Sequence, residues 1–168
     1  MHTFQPYELS EPDFNPFNQI GQQWMLIAAG NSDKANAMTA SWGGFGVIWG
    51  LNTATVYIRQ TRYTKEFIDR ENYFTLNFFP ETYRKQLAYF GKFSGRDENK
   101  MEVAGMNFAY KKGIPYVDEA NQVMICRKLS ATDIDTSHIF DKKIIEANYP
   151  EGNIHTMYIG EIVLAMAR

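Results

Sequence analysis

The chain has 168 residues, of which 45% are hydrophobic and 15% aromatic; this suits one domain with a full-sized core and excludes a disordered chain. Its 17 basic and 19 acidic residues leave a formal charge of -2, so no strong field favours nucleic acid or an anionic membrane. A lone cysteine, Cys126, excludes an intrachain disulfide, a CxxC pair and a cysteine-rich metal cage, and points to a reducing, cytoplasmic setting.

Residues 1 to 21 carry Pro6, Pro12, Pro16 and Gly21, which predict an irregular lead-in. The segment Met1 to Pro6 lacks the basic and apolar runs of a signal peptide. No stretch nears the roughly eighteen apolar residues that span a bilayer. Trp24 to Ala29 and Ala35 to Ser41 read as a strand pair joined at Gly30-Asn31-Ser32-Asp33. Phe45 to Trp49 and Thr53 to Ile58 are β-branched and aromatic, and predict two more strands around a Gly50-Leu51-Asn52 turn.

Thr64 is a natural N-cap for a short helix through Asp69, and Phe74 to Phe78 reads as a strand. After Pro80, the spacing of Tyr83, Leu87 and Phe90 predicts a helix packed on a core and ended by Gly91. Residues 97 to 121 read as an extended loop region. Gln122 to Leu129 predicts a strand that can extend to Ile134. Ile139 to Ala147 predicts a helix burying Ile144 and Ile145, and Ile154 to Met166 the last strand. Strands dominate, so the expectation is one mainly β domain over 1–168: a closed sheet with short helical covers.

The chemistry-bearing residues cluster between Asn36 and Asn77. Thr39 and Ser41 alternate on one face of their strand, with Met38 and Ala40 on the other. A polar face meeting an aromatic-rich interior needs hydrogen-bond partners, which a phosphate or a planar polar ring would supply. A solvated strand face is the alternative. Arg59 ends a strand, and Thr61 and Thr64 follow it; guanidinium, hydroxyls and a helix start together suit an anion. Arg62 is equally well read as a surface ion-pair partner.

Gly91-Lys92-Phe93-Ser94-Gly95-Arg96-Asp97 is a second polar island, with a mobile surface loop as its alternative reading. No GxGxxG or GxxxxGK[ST] motif occurs, which disfavours Rossmann and P-loop chemistry. His2, His138 and His155 lack metal-ligand spacing, and Cys126 sits in an apolar run that favours an inert thiol. Such groups hold a cofactor that carries the reaction, and no residue stands out as catalytic.

The ordered set NAMTASW, RQTRYT, Tyr73-Phe74-Thr75-Leu76-Asn77, GKFSGRDENKM and HTMYIGEI resembles the flavin reductase-like family of FMN-binding split barrels, on its flavoredoxin side. The resemblance covers residues 20 to 165. It implies a six-stranded antiparallel Greek-key barrel with flanking helices, assembled as a homodimer with FMN near the interface. It places Met38, Thr39, Ala40, Ser41 and Trp42 along the ring, and Arg59, Thr61 and Thr64 near the phosphate. Asn77 and Phe78 would lie beneath the cofactor, Gly91, Lys92 and Ser94 at the ring edge, and His155 nearby. The chain departs from the family at Gly46 to Asn52, where proline is common; Trp49 and Leu51 would reshape the pocket entrance.

The implied activity is hydride transfer from NADH or NADPH to flavin N5, with electrons passed on to oxygen, free flavin or an acceptor protein. A non-catalytic FMN electron carrier, an oxidase of the pyridoxamine-phosphate type and a cofactor-free dimeric interaction protein are the alternatives.

Overall fold

Strand alternation builds ten strands among the described residues. The computed structural model describes residues 1–9 and 15–168; Pro12 of the expected lead-in lies outside the described residues. Within the lead-in, β1 (Gln5–Pro6) and a π-helical segment (Phe17–Gln23) supply regular structure where none was expected. The strands that follow are β2 (Met25–Gly30), β3 (Ala35–Ala40), β4 (Gly43–Ile48) and β5 (Leu51–Arg59). Next come α1 (Tyr63–Arg70), β6 (Tyr73–Phe78), α2 (Arg84–Lys92), α3 (Lys100–Ala104), β7 (Phe108–Lys111) and β8 (Ile114–Val117). β9 (Gln122–Asp133), α4 (Lys142–Asn148) and β10 (His155–Ala167) complete the chain.

The main sheet is antiparallel throughout, in the order β3-β2-β6-β9-β10-β5-β4, with β1 added to β10. Its strands exceed the six expected, while the mainly β class agrees. One face carries Met25, Ile27, Met38, Val56, Ile58, Phe74, Leu76, Phe78, Met124 and Tyr158 into a single buried cluster. α1 adds Phe67 and Ile68 to that cluster. The opposite face of β2, β3 and β9 contributes Leu26, Ala28, Ala37, Val123 and Ile125. There α2 (Leu87, Phe90), α3 (Met101) and the β7–β8 hairpin (Ala109, Tyr116, Val117) cover it. β2 is therefore buried on both faces, which explains its unbroken apolar run.

Several local expectations change. Residues 97–121 are not a loop: the Asn99 side chain caps α3, Gly105 ends it in the left-handed conformation (φ 65°), and a hairpin follows. Thr64 is not a cap. α1 starts one residue before it, with Arg62 at the N-cap position, so Thr64 turns inward and is fully buried. Gly91 lies inside α2 rather than ending it. On α4, Ile144 is exposed and Ile145 half-buried. The β4–β5 turn is Trp49-Gly50, with Ile48 paired to Leu51. Among the described residues, no helix is long and apolar enough to cross a membrane.

Candidate functional site

In the β5–β10 ladder Arg59 pairs with His155, so the end of one strand and the start of the other share a face. The end of β3, the N-terminus of α1 and the segment after α2 converge on the same place. Two adjoining cavities form there, one of about 300 Å³ and one of about 210 Å³. Met38, Arg59 and Arg62 line both.

The larger of the two takes Arg59, Thr61, Thr64, Lys92 and Ser94 from the expected residues, and adds Asn36, Arg62, Tyr63, Lys100 and Asn153. Four of its lining side chains are cationic (Arg59, Arg62, Lys92, Lys100), and none is a carboxylate. The smaller cavity takes Met38, Thr39, Ala40, Ser41, Trp42 and His155, and adds Tyr57.

The framework of the first cavity is backbone-anchored. Arg59 Nη1 donates to the carbonyls of Asn148 (3.0 Å) and Asn153 (2.8 Å). Arg62 Nη1 donates to the Gly91 carbonyl at 3.0 Å, which ties α1 to α2. Burial, and secondarily Arg59, lower the Arg62 pKa, but an arginine stays charged. Asn36 Nδ2 donates to Thr64 Oγ1 at 2.8 Å. A β-carbon at Gly95 would meet Asn36 Oδ1 at 2.2 Å, so this close approach requires glycine. Asn153 Nδ2 donates to Thr61 Oγ1, while its buried Oδ1 has no partner among the described residues.

In the second cavity, His155 is buried and its Nδ1 lies 3.0 Å from the Tyr149 hydroxyl. The Trp42 ring packs against it at a tilt of 42°, with 4.8 Å between centroids. Burial first, then Arg59 and Arg62, push the His155 pKa down to about 4. The imidazole is therefore neutral throughout the physiological range, a polar wall rather than a charge.

Four expected residues differ from this pattern. Thr39 reaches the cavity wall, but its hydroxyl donates to the Leu87 carbonyl at 2.5 Å, so its proton is already used. Gly91 contributes through its carbonyl to Arg62 and does not line either cavity. Asn77 and Phe78 lie away from both cavities: Phe78 is in the barrel interior, and Asn77 is fully buried in a hydrogen-bond network of the fold. Arg96 is engaged by the Thr61 carbonyl and Glu66. Burial pushes the Cys126 thiol pKa up, which leaves it inert. Among the described residues no group of His, Cys, Asp and Glu has the geometry to hold a metal.

Sequence reasoning missed Arg62, Lys100 and Asn153. Arg62 had a signal, since it is three residues beyond Arg59 at a helix start. Lys100 stands inside the GKFSGRDENKM set but was not singled out there, and Asn153 had no signal, because its place in the cavity depends on tertiary packing.

An antiparallel barrel whose cationic cavity and aromatic-walled cavity adjoin is the architecture of a small-molecule cofactor protein. The family model for the flavin reductase like domain matches residues 17–167, and the chain belongs to that family. Its fold is similar to flavoredoxin from Methanosarcina acetivorans, with 22% identity, a TM-score of 0.69, and coverage of 87% of this chain and 68% of that one. It is also similar to flavoredoxin of Desulfovibrio vulgaris (Miyazaki F), with 20% identity, a TM-score of 0.68, and coverage of 98% and 77%. An FMN-binding domain of a flavin reductases-like enzyme from Shewanella baltica OS155 matches at 17% identity and a TM-score of 0.68, covering 98% and 77%. These likenesses establish the split-barrel fold. None of the curated proteins compared with the chain matches it.

Proposed function

We propose that the chain is an FMN-dependent oxidoreductase of the flavin reductase or flavoredoxin kind, reduced by NADH or NADPH. The observation that carries this reading is the cavity with four cationic side chains and no lining carboxylate. Four like charges around one cavity repel one another, and an anion seated among them relieves that repulsion. The N-terminus of α1 opens on the same cavity through Tyr63 and Thr64, and its dipole favours the same sign of ligand. The partnerless Asn153 Oδ1 suits a ligand hydroxyl or N–H.

The residues present thus fit FMN. Arg59, Arg62 and Lys92 would hold its phosphate, and Met38 to Trp42, Tyr57 and His155 would flank its ring. Bound there, the flavin would supply the hydride-accepting atom, which no side chain here provides. The protein's contribution would be alignment: Trp42 and His155 form an uncharged wall, and the cations would anchor the phosphate end. Electrons would pass to an acceptor protein or free flavin.

The test compares FMN with riboflavin by calorimetry. FMN should bind more tightly by at least tenfold, since each charge-assisted bond to the phosphate contributes about 1.5–3 kcal/mol. An anaerobic titration with NADH and NADPH should then bleach the flavin band. Equal affinity for the two flavins would remove the phosphate site; tight FMN binding without bleaching would leave an electron carrier.

A homodimer belongs to the same reading. β4 is an end strand of the sheet path; Val47 on it is 72% exposed, and Trp49 in the turn that follows is 62% exposed. An apolar edge of this kind is normally covered by a partner. Sedimentation should give about twice the 19.4 kDa chain mass, and Val47→Asp should return the protein to one chain. A monomer across the micromolar range would refute it.

A further inference from the structure

The smaller cavity has a histidine in its wall whose ring is held from several sides. His155 opens β10, pairs with Arg59 on β5, and accepts the Ile134 N–H at its carbonyl at 2.9 Å. Trp42 packs on its ring, and the Tyr149 ring meets it edge-on at 76°, with 5.6 Å between centroids. Both His155 and Tyr149 are buried. One polar contact joins them, between the Tyr149 hydroxyl and Nδ1. Nε2 has no protein partner among the described residues.

A neutral imidazole carries one proton, on Nδ1 or on Nε2, and His155 is neutral at pH 7. The Tyr149 hydroxyl decides between the two. Among the described residues it has no hydrogen-bond partner other than Nδ1. With the ring proton on Nδ1, that N–H would donate to the phenol oxygen, and the phenol's own proton would be stranded in a buried place. With the ring proton on Nε2, the hydroxyl donates to Nδ1 and both groups are satisfied. A flipped ring is worse, because a C–H would then face the hydroxyl. Burial raises the Tyr149 pKa against the opposing effect of Arg59, so the hydroxyl keeps its proton to donate.

We propose that Tyr149 is a positioning residue for the second cavity. Its hydroxyl donates to Nδ1 and holds the His155 imidazole in the Nε2–H form. The wall then offers a hydrogen-bond donor and takes the acceptor edge of a planar ligand, a carbonyl oxygen or an unprotonated ring nitrogen. The choice of ligand edge rests on the proposed FMN reading and deepens it; the tautomer rests on the two side chains alone. The rest of the wall agrees. Arg59 and Arg62 line the same cavity and are donors only, and no carboxylate lines it. A ligand edge presenting N–H would face Nε2–H and two guanidinium groups.

NMR of the ligand-free protein at pH 7, with 15N-labelled histidine, reads the tautomer. The chain has three histidines, and the His155 signals are those lost in His155→Gln. Nε2 should be protonated and Nδ1 unprotonated, with the Tyr149 hydroxyl proton in slow exchange with water. Tyr149→Phe keeps the ring and removes the hydroxyl. Both nitrogens should then move to the intermediate shifts of two forms in exchange. FMN affinity should fall by roughly twofold, as expected when about half of the rings carry the competent form. On adding FMN to the parent, Nε2 should stay protonated and its proton should exchange more slowly.

A proton on Nδ1 in the free parent, or a Tyr149→Phe spectrum equal to the parent's, overturns the role given to Tyr149. If that variant fails to fold, the parent still decides: a Tyr149 hydroxyl proton in fast exchange with water overturns the bond to Nδ1. Movement of the ring proton to Nδ1 when FMN binds overturns the acceptor edge. Absence of FMN binding, with Nε2–H present in the free protein, overturns the FMN reading and leaves the role of Tyr149 standing.

Discussion

Asn77→Ala is expected to lose about 3 kcal/mol of stability while leaving FMN affinity per folded molecule unchanged. Asn77 is fully buried on β6. Its Oδ1 accepts from the Val117 backbone N–H at 2.8 Å, and its Nδ2 donates to the Leu26 carbonyl (3.1 Å) and Thr75 Oγ1 (3.0 Å). Thr75 in turn donates to the Pro115 carbonyl at 2.9 Å. One amide therefore joins β6 to β2 and to the β7–β8 hairpin. Truncation strands the Val117 N–H in a dry interior and leaves a void beside it, so both penalties fall together. For a chain of this size the melting temperature should drop by roughly 6–12 °C. Thermal denaturation and an FMN titration well below the transition check the two halves. An unchanged melting temperature with weakened FMN binding would return Asn77 to the cofactor.

The same residue shows what a sequence can and cannot reveal. The strand 73–78 was legible from its aromatic and β-branched residues. The direction of a polar side chain within it was not, because Asn77 is satisfied by groups 40 and 51 positions away. Local spacing carried the other strands well. The 3.6-residue period placed Leu87 and Phe90 on the buried face of α2. Where the reading failed, tertiary context decided. Asn99 and Gly105 bracket a helix in plain view, but at five residues α3 is too short to show a period. Trp49 adopts a left-handed turn conformation (φ 54°) that favours Gly or Asn, so the β4–β5 turn was placed one residue late. Ile144 looked like core and is exposed.

Site residues were legible where strands deliver them. Arg59, Ser41 and His155 follow from strand ends, and strand ends are countable. Lys100 is the opposite case. Its burial comes from α2 and β3 closing around it, and the β3 carbonyl it meets is 63 positions away. A charged residue inside a fold is invisible to composition, since lysine is almost always a surface residue.

Arg59→Ala is expected to weaken FMN binding by roughly ten- to a hundredfold, corresponding to about 1.5–3 kcal/mol, with riboflavin binding nearly unchanged. Arg59 lines both cavities, so its loss removes the charge at their junction. Both of its carbonyl bonds use Nη1; among the described residues Nε and Nη2 have no protein acceptor and remain available to a phosphate. The Nη1 bonds also anchor the segment between α4 and β10, so a modest stability loss should accompany the change. Arg59→Lys separates the two roles. It keeps the charge but loses the fork that can hold Asn148, Asn153 and a phosphate together. Its FMN affinity should fall between those of the parent and Arg59→Ala. The decisive quantity is the ratio of FMN to riboflavin affinity, which cancels any general loosening of the site. A ratio that stays at the parent value in Arg59→Ala, with an intact circular-dichroism spectrum, would mean that Arg59 only braces the loop and that the phosphate is held without it.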